Sequence, residues 1–147
     1  MRLFWLVTLG GCGLSVLATL LVERFLATRI AIVGSAIGLV RSFNRGVAFG
    51  ITLHPDIQIF LIAIALFAVF WMAFRAKQNP LAQVGFGLII GGGIANIFDR
   101  VQDGFVTDFV QVGSFPIFNI ADSCITVGVV LLLLEALTSE KARKKKR

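Results

Sequence analysis

The chain has 147 residues, of which 57% are hydrophobic and 15% charged, with a mean hydropathy of +0.90. A water-soluble domain carries far more charge, so the bilayer is the expected solvent. The net charge of +6 does not mark a nucleic-acid binder, because Lys141, Arg143, Lys144, Lys145, Lys146 and Arg147 form one terminal run that reads as a topology signal.

Four stretches approach the roughly 20 mostly apolar residues that a spanning helix needs: about 3–22, 57–74, 81–98 and 118–137. Within the first, Leu9-Gly10-Gly11-Cys12 resembles a lipid-attachment cleavage box, but the apolar run continues past Cys12 and suits a retained span. Cys12 and Cys124 lie inside the first and last runs without a C-x-x-C pattern and read as packing residues. The outer segment 24–56 contains Arg29 to Phe43, rich in Ile, Val and Gly. Its apolar run is too short to span and predicts short strands, a small platform lying on the membrane surface. His54, just before Pro55, suits a cap or an interfacial position. A single His and no H-E-x-x-H give a zinc peptidase almost no support.

The second outer segment, 99–117, opens with Asp99-Arg100 and closes with Pro116, a residue suited to the first turn of the fourth helix. Residues 138–147 form a basic tail suited to anionic lipid. With no repeat and no dividing linker, residues 1–147 read as one integral membrane domain. The predicted fold is an all-α membrane protein: a four-transmembrane-helix bundle with a small β-like periplasmic platform between helices 1 and 2. Positive residues stay on the cytoplasmic side. Arg2, Arg75, Lys77 and the tail outnumber Arg24, Arg29, Arg41, Arg45 and Arg100, so both termini are expected in the cytoplasm.

Ionisable side chains at membrane depth are costly and usually functional, and here they gather at the outer ends of the third and fourth spans. Asn96, Asp99 and Arg100 share a helical face, and Asn119, Asp122 and Ser123 repeat that spacing. Between them Asp108 sits among Val106, Thr107, Phe109 and Val110, an apolar setting that raises a carboxyl pKa. Gly87, Gly91, Gly92, Gly93 and Ala95 let another helix approach the third span closely. Asn119 with Asp122 also fits a helix cap, and Asp99 with Arg100 an interfacial pair. Capping leaves Asp108 unexplained. Two carboxylates brought together share a proton and activate a water between them, which supplies a general acid and a general base. A Ser-Lys pair fails because all five lysines fall on the inner side, and no G-x-S-x-G elbow is present.

These residues resemble the lipoprotein signal peptidase family, signal peptidase II of bacterial inner membranes. The resemblance rests on four blocks: Asn44-Arg45-Gly46-Val47-Ala48-Phe49-Gly50, Gly92-Gly93-Ile94-Ala95-Asn96-Ile97-Phe98-Asp99-Arg100, Val106-Thr107-Asp108-Phe109, and Phe118-Asn119-Ile120-Ala121-Asp122-Ser123. It implies an aspartic endopeptidase of the inner membrane with its site near the periplasmic face. Its catalytic pair would be Asp108 and Asp122, with Asn44, Arg45, Gly46, Asn96, Arg100 and Asn119 on the substrate and Asp99, Ala121 and Ser123 in support. The implied substrates are diacylglyceryl-modified prolipoproteins, cut just before the lipidated cysteine. The expected partners are these and membrane lipid, with no nucleic acid, the expected state is a monomer, globomycin-like peptides are the expected inhibitors, and no metal or other cofactor is expected in such a family. One block departs from the pattern. Where the family carries an Asp and, four residues on, a Lys, this chain has Glu23 and Ala27.

The lipidated substrate is expected to enter sideways from the bilayer, while Gly46 and Gly50 suggest a mobile outer loop over the site. A proton-coupled carrier also uses intramembrane carboxylates, but it needs polar groups along the membrane depth, and the inner halves of these spans are almost purely apolar. For an assembly or scaffold protein, both carboxylates would be dispensable.

Overall fold

The computed structural model describes residues 1–46, 54–76 and 79–145. Val47 to Gly50 and Lys77 lie outside them, as does the end of the basic tail, so the loop expectation at Gly50 falls outside the described residues. Four helices, α1 (Arg2–Phe25), α2 (Pro55–Arg75), α3 (Pro80–Asp103) and α4 (Ile120–Lys145), alternate with three strands, β1 (Ile30–Val33), β2 (Ile37–Asn44) and β3 (Val106–Val112). All four helices are long and apolar enough to cross a membrane.

The residues inside and outside the bundle are inverted relative to a soluble protein. On α1 the buried positions are Phe4, Thr8, Gly11, Ser15 and Thr19, a stripe at helical spacing made largely of small side chains. Leu6, Leu9, Leu14, Leu17 and Leu20 point outward. Such a surface is stable only against lipid, where small residues let helices approach and large aliphatic ones meet the acyl chains.

Helix α3 is the centre, packed against α1, α2 and α4. Two glycines decide how closely. A Cβ at Gly91 would stand 2.6 Å from the Thr8 carbonyl oxygen of α1, and one at Gly92 would collide with the Ala121 carbonyl oxygen of α4. The second approach presses the first turn of α4, which carries Asp122, onto α3. At the other end of α3, the Asn79 side chain accepts hydrogen bonds from the Leu81 and Ala82 amides and donates to Glu135 of α4 at 2.8 Å. The helix closes at Gly104, whose φ of +86° is the left-handed C-cap favouring glycine.

The sheet runs in the order β1-β2-β3, both pairs antiparallel. The expected platform between the first two spans is present as β1 and β2. Its third strand comes from the segment between α3 and α4, for which the sequence reading predicts no strand. A bulge between Leu39 and Ser42 of β2 shifts the register, setting Ser42 opposite Asp108 and Asn44 opposite Val106. Two expectations at the outer ends differ. Helix α3 runs past the expected end of the span at 98 to Asp103, and Asn96, Asp99 and Arg100 lie on one helix as their spacing predicts. Helix α4 starts at Ile120, so Pro116 lies ahead of its first turn. The backbone there pairs with β3 instead, Val110 and Phe118 exchanging N–H···O bonds at 2.7 and 3.2 Å.

Candidate active site

Asp108 points from β3 into the junction between sheet and bundle and is 2% exposed. Asn44, diagonally across the ladder on β2, donates from Nδ2 to its Oδ2 at 3.0 Å. Asn119 donates from Nδ2 to its Oδ1 at 2.9 Å. The partner that Asp108 lacked in sequence is this pair of amides from distant segments. Burial raises the Asp108 carboxyl from its ordinary 3.8 to about 6. The Asn44 amide opposes that rise, the charge of nearby Asp122 adds to it, and the Asn119 amide and the Arg100 charge again oppose it.

Asp122 is placed by the start of α4. The Asn119 side-chain oxygen accepts the Asp122 N–H at 2.8 Å, and Asp122 Oδ2 reaches back to the Asn119 N–H at 3.4 Å, a reciprocal cap. Capping and site-building are therefore one arrangement here, because the Asn119 amide that is left over holds Asp108. Asn96 of α3 donates to Asp122 Oδ1 at 2.9 Å and accepts from Asn119 at 3.2 Å. Asn119 thus touches both acids, and Asn96 ties the arrangement to the central helix.

Arg100 lies one turn beyond Asn96 and is 6% exposed. Its Nη1 donates to the Asn96 carbonyl at 3.2 Å and its Nη2 to the Gly46 carbonyl at 2.8 Å. Its Nε is buried with no partner among the described residues. Gly46 also donates its N–H to Asn44 Oδ1 at 2.9 Å, so the Asn44 amide is fixed with its NH2 toward Asp108. Arg45 contributes its backbone carbonyl, which accepts from Gln58 Nε2 at 2.9 Å, while its side chain is exposed. Ser123 bonds its own helix at the Asn119 carbonyl, 3.0 Å, and Ala121 is buried against α3. Asp99 does not pair with Arg100 as an interfacial ion pair. It accepts the Thr107 N–H at 3.3 Å, and the Thr107 hydroxyl donates to Glu23 of α1 at 2.8 Å. Glu23 therefore ties α1 to β3, one residue from Asp108.

Sequence reasoning missed Gln58 and Thr107. Gln58, a lone amide inside an apolar span and 2% exposed, carried a signal, since buried amides need partners. Thr107 carried none beyond adjacency to Asp108. The exposed His54 makes the only ion pair among the described residues, with Asp56 at 3.4 Å. Those residues hold no cluster of His, Cys, Asp and Glu that could bind a metal ion.

A cavity of about 690 Å³ has Asp122 in its wall, while Asp108 does not line it and is joined to it through Asn44. Asn44, Asn96, Arg100, Asp122 and Ser123 form its polar end, and Ile62, Phe118, Ile125 and Val127 its apolar flank. Two carboxyl groups held through the one Asn119 side chain can supply an acid and a base together.

A family model described as signal peptidase (SPase) II matches residues 14–138. The lipoprotein signal peptidase of Chlorobaculum tepidum is 34% identical over 91% of this chain and 93% of its own length. That of Caldicellulosiruptor bescii is 35% identical over 88% and 87%. A solved bacterial membrane enzyme superposes with a TM-score of 0.86 at 27% identity, covering 97% of this chain and 91% of that one.

Proposed function

The chain belongs to the signal peptidase II family, and from that membership we propose that it is an aspartic endopeptidase whose catalytic pair is Asp108 and Asp122. It is a multi-pass bacterial membrane peptidase that removes signal peptides from prolipoproteins. The observation that carries the aspartic assignment is Asn119, whose single side chain bonds Asp108 at 2.9 Å and caps the turn holding Asp122. The two acids are thereby parts of one rigid unit.

In this mechanism one carboxylate takes a proton from a water held between the acids. The water attacks the carbonyl preceding the diacylglyceryl-modified cysteine. The other acid gives its proton to the carbonyl oxygen; as the gem-diol collapses it takes a proton back from that hydroxyl while the first carboxyl passes the water's proton to the leaving amine, so that the pair again holds one proton. Asn44 and Asn119 hold Asp108 while Asn96 holds Asp122. Arg100, fixed by Asn96 and Gly46, lends positive charge that limits the cost of carrying an ionised carboxylate in a buried site. The acyl chains would lie along Ile62, Ile125 and Val127 and the peptide across the polar end of the cavity. Both termini face the cytoplasm, the site lies near the periplasmic face, the enzyme works as a monomer, and globomycin-like peptides block the same cavity.

The test is cleavage of a lipidated and a non-lipidated precursor by the purified protein and by its Asp108→Asn and Asp122→Asn variants. Cleavage confined to the lipidated precursor and lost in both variants is expected. Cleavage retained by either variant removes that residue from the mechanism, and equal cleavage of both precursors removes the lipid as the recognition handle.

A further inference from the structure

The outward face of the sheet carries charge that the peptidase site does not use. Between Arg24 and Gly46 the sequence has four arginines and no acidic residue. Arg24, Arg29 and Arg41 are exposed, and among the described residues none of them pairs with a carboxylate.

Arg29 is nevertheless held still. Its Nε donates to Gln111 Oε1 on β3 at 2.8 Å, and its Nη2 to the Ser35 and Gly34 carbonyls at 3.1 and 3.3 Å. To make these bonds the guanidinium crosses over Gly38 of β2, where a Cβ would stand 2.9 Å from Nη2. Every acceptor is neutral, so the group is fixed in place while its charge remains uncancelled. Arg41 is similar, donating to the Glu23 carbonyl at 3.2 Å and lying 5.6 Å above the Phe43 ring. Beside these cations Ile30, Ile32, Val33 and Phe25 are each more than half exposed. They continue the outward leucines of α1.

We propose that, on the β1–β2 platform already expected at the bilayer surface, Arg29, spread over Gly38, is a preformed contact for the phosphate of an anionic phospholipid headgroup, with Arg41 beside it. Exposed aliphatic side chains seat the hairpin at the level of the headgroups, and guanidinium groups at that depth meet phosphate. Charge complementarity and continuity with the lipid-facing helices select a lipid rather than a protein as the occupant. The inference rests on the membrane orientation given above but not on the chemistry of the acids.

Native mass spectrometry of the purified full chain, offered equal amounts of phosphatidylglycerol and phosphatidylcholine, tests it. The wild type is expected to retain phosphatidylglycerol preferentially, by about fivefold per arginine at low salt. Arg29→Gln removes about fivefold of that preference. Arg29→Lys, which keeps the charge but loses the planar fork, keeps part of it. Equal preference in the wild type and Arg29→Gln, or no preference in the wild type, overturns the proposal. An acidic peptide that displaces no lipid but loses binding in Arg29→Gln overturns it in favour of a peptide partner. Prolipoprotein cleavage measured on the same samples reads the peptidase assignment separately.

Discussion

Replacing Asp108 by Asn should change how the protein's stability depends on pH, in a direction opposite to that of an ordinary paired carboxylate. Burial lifts the carboxyl from 3.8 to about 6 in the folded protein, and unfolding returns this strand residue to water and to its ordinary value. Between those pH values the folded state binds more protons than the unfolded one, so stability falls as pH rises. The contribution is fully present below about pH 4 and is lost as pH passes through about 6. At 1.36 kcal/mol per pH unit the interval corresponds to about 3 kcal/mol. The amide that Asp108→Asn introduces does not titrate. It would turn an NH2 toward one of the Asn44 and Asn119 donors, but that cost is the same at every pH and cancels when the two profiles are compared. Thermal unfolding in detergent from about pH 4 to about pH 8, followed through Trp5 and Trp71, should show the wild type losing about 3 kcal/mol relative to the variant. Parallel profiles, or a wild type that gains on the variant as pH rises, would refute a buried, proton-retaining Asp108.

Asn44→Ala removes a hydrogen bond to the ionised form of Asp108, so the carboxyl keeps its proton to higher pH. The alkaline limb of the kcat/KM profile should move up by about one pH unit; an unmoved or lowered limb would show that Asp108 does not govern it. Asn119→Ala takes away a helix cap and a charge-assisted bond. Denaturation should register a loss of about 2–4 kcal/mol, with kcat falling more than KM rises because both acids are released from their positions. Gly92→Ala places a methyl group against the Ala121 carbonyl. It should cost about 1–3 kcal/mol and lower activity through Asp122, and a variant with full stability and full activity would show that the α3–α4 contact is looser than described. Asp108→Asn and Asp122→Asn should each lower the cleavage rate by at least roughly two orders of magnitude while the protein stays folded by circular dichroism.

Much of this molecule can be read from order along the chain. Apolar runs of bilayer length dictate four helices whatever they pack against, because every backbone polar group in lipid must be satisfied within its own segment. Asp108 and Asp122 stood out as candidates for a related reason, before the family resemblance named them as a pair: carboxylates amid Val, Phe and Ile are costly. The glycines of the third span likewise announced a close approach, which Gly92 makes against α4.

Helix ends and partners were not legible in this way. Pro116 suits a first turn, yet the chain there bonds to β3, and the helix begins only where Asn119 can cap it. Strand β3 has β-branched and aromatic residues suited to a strand, but a seven-residue stretch mixing apolar and polar side chains becomes one only when an edge is offered, and that edge is β2, more than sixty positions earlier. The amides on Asp108, the Thr107 bridge from Asp99 to Glu23 and the uncancelled charge of Arg29 over Gly38 all join segments far apart in sequence. Sequence alone determined the solvent and the spans and singled out the acids as candidates, since those follow from the cost of burying or exposing one residue at a time. Tertiary structure decided which amide faces which carboxylate, because a hydrogen bond depends on two groups meeting at a given distance and angle, and composition holds no record of that meeting.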